Sequence, residues 1–176
     1  MQTPAVEEYR AFVTGAVIVK VGGRLVHSLV LTDRRLILVL TDKPSLLLNT
    51  AAFGLYGALL GGMFTTNVGF DPGAETPSAL ASRSTSISIP YDAVRRIRLR
   101  RERRLAGAGA LKIHWIEGER TTRKLEIRMN PFPDLIEHRG PPKGWEDNPA
   151  MTISHVQDLL RRQLPAPLVE LGEWLI

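Results

Sequence analysis

Residues 24–41 read Arg24-Leu25-Val26-His27-Ser28-Leu29-Val30-Leu31-Thr32-Asp33-Arg34-Arg35-Leu36-Ile37-Leu38-Val39-Leu40-Thr41. Two short aliphatic runs flank the polar pair Asp33-Arg34, which is the pattern of strand, tight turn and strand. Continuous apolar runs also suit a buried helix by periodicity alone, but the short length and the turn residues at each end favour strands. Upstream, Phe12-Val13-Thr14-Gly15-Ala16-Val17-Ile18-Val19-Lys20-Val21 is a third run of the same kind. Gly22-Gly23 closes it, and glycine supplies the positive φ that a two-residue hairpin requires. Three antiparallel strands are therefore expected before residue 44.

Residues 44–70 carry no charge and break the strand pattern, with Leu46-Leu47-Leu48 followed by Phe53-Gly54-Leu55-Tyr56-Gly57-Ala58-Leu59-Leu60-Gly61-Gly62-Met63-Phe64. As a helix, 45–64 would be about 30 Å long, the thickness of a bilayer core. A single crossing would, however, leave strands of one domain on opposite sides of the membrane. Gly57 and Gly61, with Gly54, Ala58 and Gly62 beside them, form a small-residue face of the kind that lets helices approach closely, and Phe53, Leu55, Leu59 and Met63 flank it. Three readings follow for this insertion: self-association between subunits, lying in a membrane interface, or packing over an open end of its own domain.

Residues 71–84, rich in Pro, Gly, Ala, Ser and Thr, are expected to be a flexible connection, so that 44–84 is insertion plus connection. Strand character returns at Ser86-Ile87-Ser88-Ile89, and Pro90 introduces a short turn over Tyr91-Asp92-Ala93-Val94. Seven arginines then fall within ten residues: Arg95, Arg96, Arg98, Arg100, Arg101, Arg103 and Arg104, with Glu102 the one acid among them. As a strand this segment points Ile97 and Leu99 one way and Arg96, Arg98 and Arg100 the other. After a loop at Ala106-Gly107-Ala108-Gly109, Leu111, Ile113 and Trp115 alternate with Lys112 and His114. Leu125, Ile127 and Met129 then alternate with Lys124, Glu126 and Arg128. That is a hairpin with one buried and one wet face. Residues 131–149 read as loop. A helix over about 149–164 carries Ile153, Val156, Leu159 and Leu160 on one stripe, and Pro165 ends it. The apolar tail 165–176 is expected to dock on the domain or on a partner.

About seven antiparallel strands followed by one amphipathic helix is the order of a pleckstrin-homology-type barrel, a mainly β fold. Within it, Leu31-Thr32-Asp33-Arg34-Arg35-Leu36 resembles the leucine-threonine-x-x-arginine-leucine pattern where the second and third strands of GRAM domains meet. Ile89-Pro90-Tyr91-Asp92-Ala93-Val94-Arg95-Arg96-Ile97 is similar to that family's isoleucine-proline, acidic, two-isoleucine segment. The resemblance covers residues 11–164 as a single GRAM or pleckstrin-homology-like domain. It implies a lipid- or protein-binding module, without enzymatic activity and without a cofactor. The basic signature of phosphoinositide binders around the first hairpin is represented here by Lys20 and Arg24 about a tight turn.

The composition agrees with a binding role. The formal net charge is +5 in 176 residues, which favours anionic partners, and there is no cysteine for thiol chemistry, disulfides or cysteine-based zinc sites. Glu7, Glu8 and Arg10 precede any apolar run, so no signal peptide is expected and a cytoplasmic location, peripheral to a membrane at most, follows. His27, His114, His138 and His155 are scattered, without metal-ligand spacing, and no metal is expected. The anion- or lipid-binding candidates are Lys20, Arg24, Arg96, Arg98, Arg100 and Arg101. Homo-oligomerisation through the insertion and an anionic membrane or protein partner are the expected associations. Nucleic acid is disfavoured, because the arginine run lacks interleaved aromatic residues and any DNA- or RNA-binding signature.

Overall fold

The computed structural model describes residues 6–20, 23–40, 74–101, 109–129, 135–138, 145–148 and 153–174. Strands β1 (Tyr9–Lys20), β2 (Gly23–Thr32) and β3 (Arg35–Leu40) form the antiparallel meander that the first sequence segment predicts. Lys20 pairs with Gly23 across the first turn, and Leu31 with Leu36 across the second. β4 (Ile87–Pro90) adds to β3, and a 3-10 turn (Tyr91–Ala93) leads into β5 (Val94–Arg101). β6 (Gly109–Glu117) and β7 (Thr121–Met129) complete a second meander, which reaches β1 through β7.

β1 is the element that joins the two meanders. Its register against β2 shifts between Val13 and Ala16, around Thr14-Gly15. An irregularity of this kind bends a strand and changes its neighbours. Beyond the bend, Ala16 to Ile18 pair with β7. Before it, Ala11 to Val13 pair with β8 (Leu135–His138), which in turn pairs with β9 (Trp145–Asn148). Two four-stranded halves, β1-β2-β3-β4 and β5-β6-β7-β1, thus share one strand. The hairpin β8-β9 falls inside the segment expected to be loop.

The pairing is open, which corrects the expectation of a closed barrel. The strand order runs β10-β5-β6-β7-β1-β2-β3-β4, where β10 is the short strand Glu173–Trp174, and among the described residues no ladder joins β4 to β5. β4 is only four residues long and ends at Pro90, which has no N–H to extend a ladder. The space between the halves is filled by helix α2 (Ile153–Gln163), whose Ile153, Val156, Leu159 and Leu160 are buried against Leu29, Leu31, Leu38, Ile89, Ile97, Leu99, Leu111 and Ile127. Each such side chain contributes about 1.5–3 kcal/mol when removed from water.

The first half is covered on its other face too. Phe12, Val30, Ile37 and Val39 pack beneath Leu80 of a one-turn helix α1 (Pro77–Ala81), capped by the side chain of Thr76 and lying inside the segment expected to be a flexible connection. This explains why 36–40 is apolar at every position: a strand buried on both faces has no wet side to alternate with. Where α1 meets the β2–β3 turn, buried Glu7 accepts from Thr32 Oγ1 at 2.7 Å and Arg35 Nε at 2.9 Å, with Ser78 Oγ at 3.4 Å. Tyr91 Oη donates to the Thr32 carbonyl at 2.9 Å and ties the 3-10 turn to the same corner.

After α2, Pro165 begins a further helix, α3 (Ala166–Leu171), with Leu168 buried. β10 then lies parallel to β5, with Glu173 opposite Arg98 and Trp174 opposite Leu99. Trp174 Nε1 donates to the Val169 carbonyl at 2.9 Å, and the Arg161 guanidinium sits 5.9 Å from the centre of its ring. Residues 166–174 therefore dock on the domain itself. No described helix is long and apolar enough to cross a membrane.

Candidate anion-binding face

In β5 the alternation read from the sequence is realised: Ile97 and Leu99 are fully buried, whereas Arg96 and Arg100 are exposed and Arg98 is half-buried. The cross-strand register extends this face over the whole second meander. Arg96 lies opposite His114, and His114 opposite Lys124. The next row is Glu173, Arg98, Lys112 and Glu126, and the third is Arg100, Ala110 and Arg128. Directly paired residues of an antiparallel sheet share a face. The outer surface of β5-β6-β7 therefore gathers six cations, namely Arg96, Arg98, Arg100, Lys112, Lys124 and Arg128, against the two carboxylates Glu126 and Glu173.

Both carboxylates are engaged by their neighbours. Arg96 Nε donates to Glu173 Oε1 at 2.7 Å, and Arg98 Nε lies 3.0 Å from Oε2 as an ion pair without hydrogen-bond alignment. Lys112 Nζ is 2.7 Å from Glu126 Oε2, and Arg128 Nε is 3.7 Å from Oε1. The Arg96 hydrogen bond holds the Glu173 carboxyl below the usual carboxylate range, and the Lys112 hydrogen bond does the same for Glu126. The acids thus stay ionised and pin the cations around them, leaving a surplus of four positive charges on one sheet face.

His114 is the neutral member of the face. Desolvation lowers its pKa, and Lys124, Arg96 and Lys112 lower it further. In the window between that lowered value and the ordinary 6.5 the unfolded chain binds more protons than the native one, so stability rises with pH there. His114→Gln should therefore flatten the pH dependence of stability just below the ordinary 6.5, measured as urea midpoints across a pH series. A variant with the parent's slope would show that His114 does not experience these cations.

Of the residues singled out in the sequence, Arg96, Arg98 and Arg100 come together on this face. Arg101 does not: one residue further along the alternation, its Nη2 reaches Ser154 Oγ of α2 at 3.5 Å. The side chains of Lys20 and Arg24 lie outside the described residues, as do Phe53, Gly54, Leu55, Gly57, Ala58, Leu59, Gly61, Gly62 and Met63. The alternation marks Lys112, His114, Lys124 and Arg128 as one wet face of a hairpin, but only the register places that face beside the arginine strand. The contribution of Glu173 had no signal in the sequence. Among the described residues no group of three or more His, Asp or Glu is placed to hold a metal ion.

A scan against protein-family models gives no match for this chain, and a search of curated proteins gives none either.

Proposed function

We propose that the protein is a non-catalytic binding domain of GRAM or pleckstrin-homology-like type that docks on an anionic phospholipid surface through the outer face of β5, β6 and β7. The observation that carries this reading is the surplus of positive charge on one broad sheet face, in three cross-strand rows. Cations spread over one sheet face can meet many headgroups of an acidic bilayer at once, where each basic residue near the surface contributes about 1 kcal/mol. Among the described residues the face presents no Phe, Tyr or Trp for stacking nucleobases: its members are charged residues, His114, Ala110, Ile116 and Thr122. The element order supports the family assignment: two antiparallel meanders, then the added hairpin β8-β9, and then an amphipathic helix buried against their inner side.

The test is co-flotation of the full chain with vesicles of phosphatidylglycerol in phosphatidylcholine, against phosphatidylcholine alone. Binding to the acidic vesicles only, and its loss as salt shortens the Debye length from about 10 Å at 0.1 M to about 3 Å at 1 M, is the expected result. No flotation at low salt, or retention on an oligonucleotide without flotation, would overturn the reading.

A further inference from the structure

We propose that the cross-strand row Arg96, His114 and Lys124 is the phosphate-binding spot of this face, where the His114 imidazole gains a proton as a headgroup phosphodiester seats, so that attachment tightens at mildly acidic pH. The inference rests on the membrane reading above and adds a location and a pH response to it.

The row is distinguished by where the acids lie. Both carboxylates fall in the middle row, Glu173 and Glu126 at its two ends, with Arg98 and Lys112 between them. Glu126 is held by Lys112 at 2.7 Å and by Arg128 at 3.7 Å, and Glu173 by Arg96 and Arg98. No carboxylate stands in register with His114. Its neighbours are Arg96 across β5, Lys124 across β7 and Lys112 on its own strand. Arg98 and Glu126 lie on the diagonals, and Glu173 of β10 reaches the row only through Arg96. The imidazole therefore sits among cations, and this is also why its proton affinity is reduced.

An oxyanion placed over this row reverses the sign of that environment. It accepts from the Lys124 ammonium and the Arg96 guanidinium, screens their repulsion of an imidazolium, and offers a protonated His114 a charge-assisted hydrogen bond. Each of these favours the charged imidazole. Binding and protonation are then linked: in the interval between the free and the bound proton affinities of His114, complex formation takes up a proton, and affinity rises as pH falls through it. Below that interval both states are protonated and the dependence levels off. A lysine at 114 would add its charge at all pH values, together with repulsion in the unbound protein, whereas histidine adds it when the anion is present.

The experiment compares the full-length parent with His114→Gln, which keeps a polar side chain that cannot become cationic. Vesicles of phosphatidylglycerol in phosphatidylcholine are used because the phosphodiester stays singly charged throughout the range. Between about pH 7.5 and about pH 5.5 the parent should gain about fivefold in affinity, the effect of one added basic charge at an acidic surface. The variant should stay flat across this range. Proton NMR of the imidazole should also show the His114 titration midpoint moving upward when phosphatidylglycerol micelles are added. Equal slopes for parent and variant, with both binding, would overturn the inference and leave the membrane reading standing. Failure of both proteins to bind at any pH would overturn the membrane reading and the inference with it.

Discussion

Replacing Arg100, Lys124 and Arg128 together with glutamate is expected to abolish flotation with acidic vesicles, a loss of at least about a hundredfold in affinity. Lys124 belongs to the first row of the β5-β6-β7 face, Arg100 and Arg128 to the third, and all three are exposed. None forms a hydrogen bond or ion pair with Glu173, whose partners Arg96 and Arg98 are kept. With about 1 kcal/mol for each basic residue at an anionic surface, three removed cations cost about 3 kcal/mol before any repulsion from the new carboxylates is counted. Arg34→Glu is the control, because Arg34 is an equally exposed cation on the β2–β3 turn of the other half. It should alter binding by no more than its share of net charge. Equal losses from the triple variant and from Arg34→Glu, scaled per charge, would mean that net charge alone governs the interaction and that no particular face is used.

Glu7→Ala is the substitution expected to damage the fold most. The Glu7 side chain is only 4% exposed and pairs with Arg35, itself 28% exposed. Its removal leaves the Arg35 guanidinium without its carboxylate and takes from the Thr32 hydroxyl its shorter acceptor, at 2.7 Å, leaving it the Arg35 carbonyl at 3.1 Å. Thr32 Oγ1 cannot easily turn away, since it also accepts from the backbone N–H groups of Arg34 and Arg35 at 3.1 and 2.9 Å and so shapes the turn. Breaking a buried pair from one side costs about 3–5 kcal/mol, and the partial exposure of Arg35 sets the expectation at about 3. Glu7→Gln keeps an acceptor for both donors and should lose about 1 kcal/mol, the difference between a charged and a neutral hydrogen bond. Urea midpoints with an unchanged slope would measure both. An alanine variant as stable as the parent would show that this corner is not closed as described.

The amino-acid pattern makes the second meander legible almost residue by residue, because one of its faces is wet. Leu111, Ile113 and Trp115 against Lys112 and His114 can be sorted without knowing the neighbours, and the structure buries the apolar set. The first meander is legible only as strands. With Ile37 and Val39 packed under α1 while Leu36 and Leu38 face α2, its run has no period to reveal two faces. The bend of β1 at Thr14-Gly15, which divides that strand between β7 and β8, lies in long-range pairing rather than in any local signal. The same limit applies to the candidate site. Arginines on β5 were evident from the alternation, but the rows they form depend on register, and register is fixed by the apolar partners on the opposite face, Ile97 with Ile113 and Leu99 with Leu111. Glu173, more than seventy positions from Arg96, enters by the docking of a short tail whose sequence is chiefly apolar.

The central claim, that the outer face of β5-β6-β7 contacts the membrane, is tested most directly by a spin label on that face. The chain has no cysteine, so single substitutions give unambiguous labelling sites. Thr122 lies on the face, opposite Ile116 and two residues from Lys124, and is exposed, whereas Ser84 is an exposed position after α1 on the other half. On adding phosphatidylglycerol vesicles, a label at Thr122→Cys should lose accessibility to a water-soluble paramagnetic relaxer, and one at Ser84→Cys should retain it. Shielding of the label at Ser84→Cys with the one at Thr122→Cys still fully accessible would contradict the account.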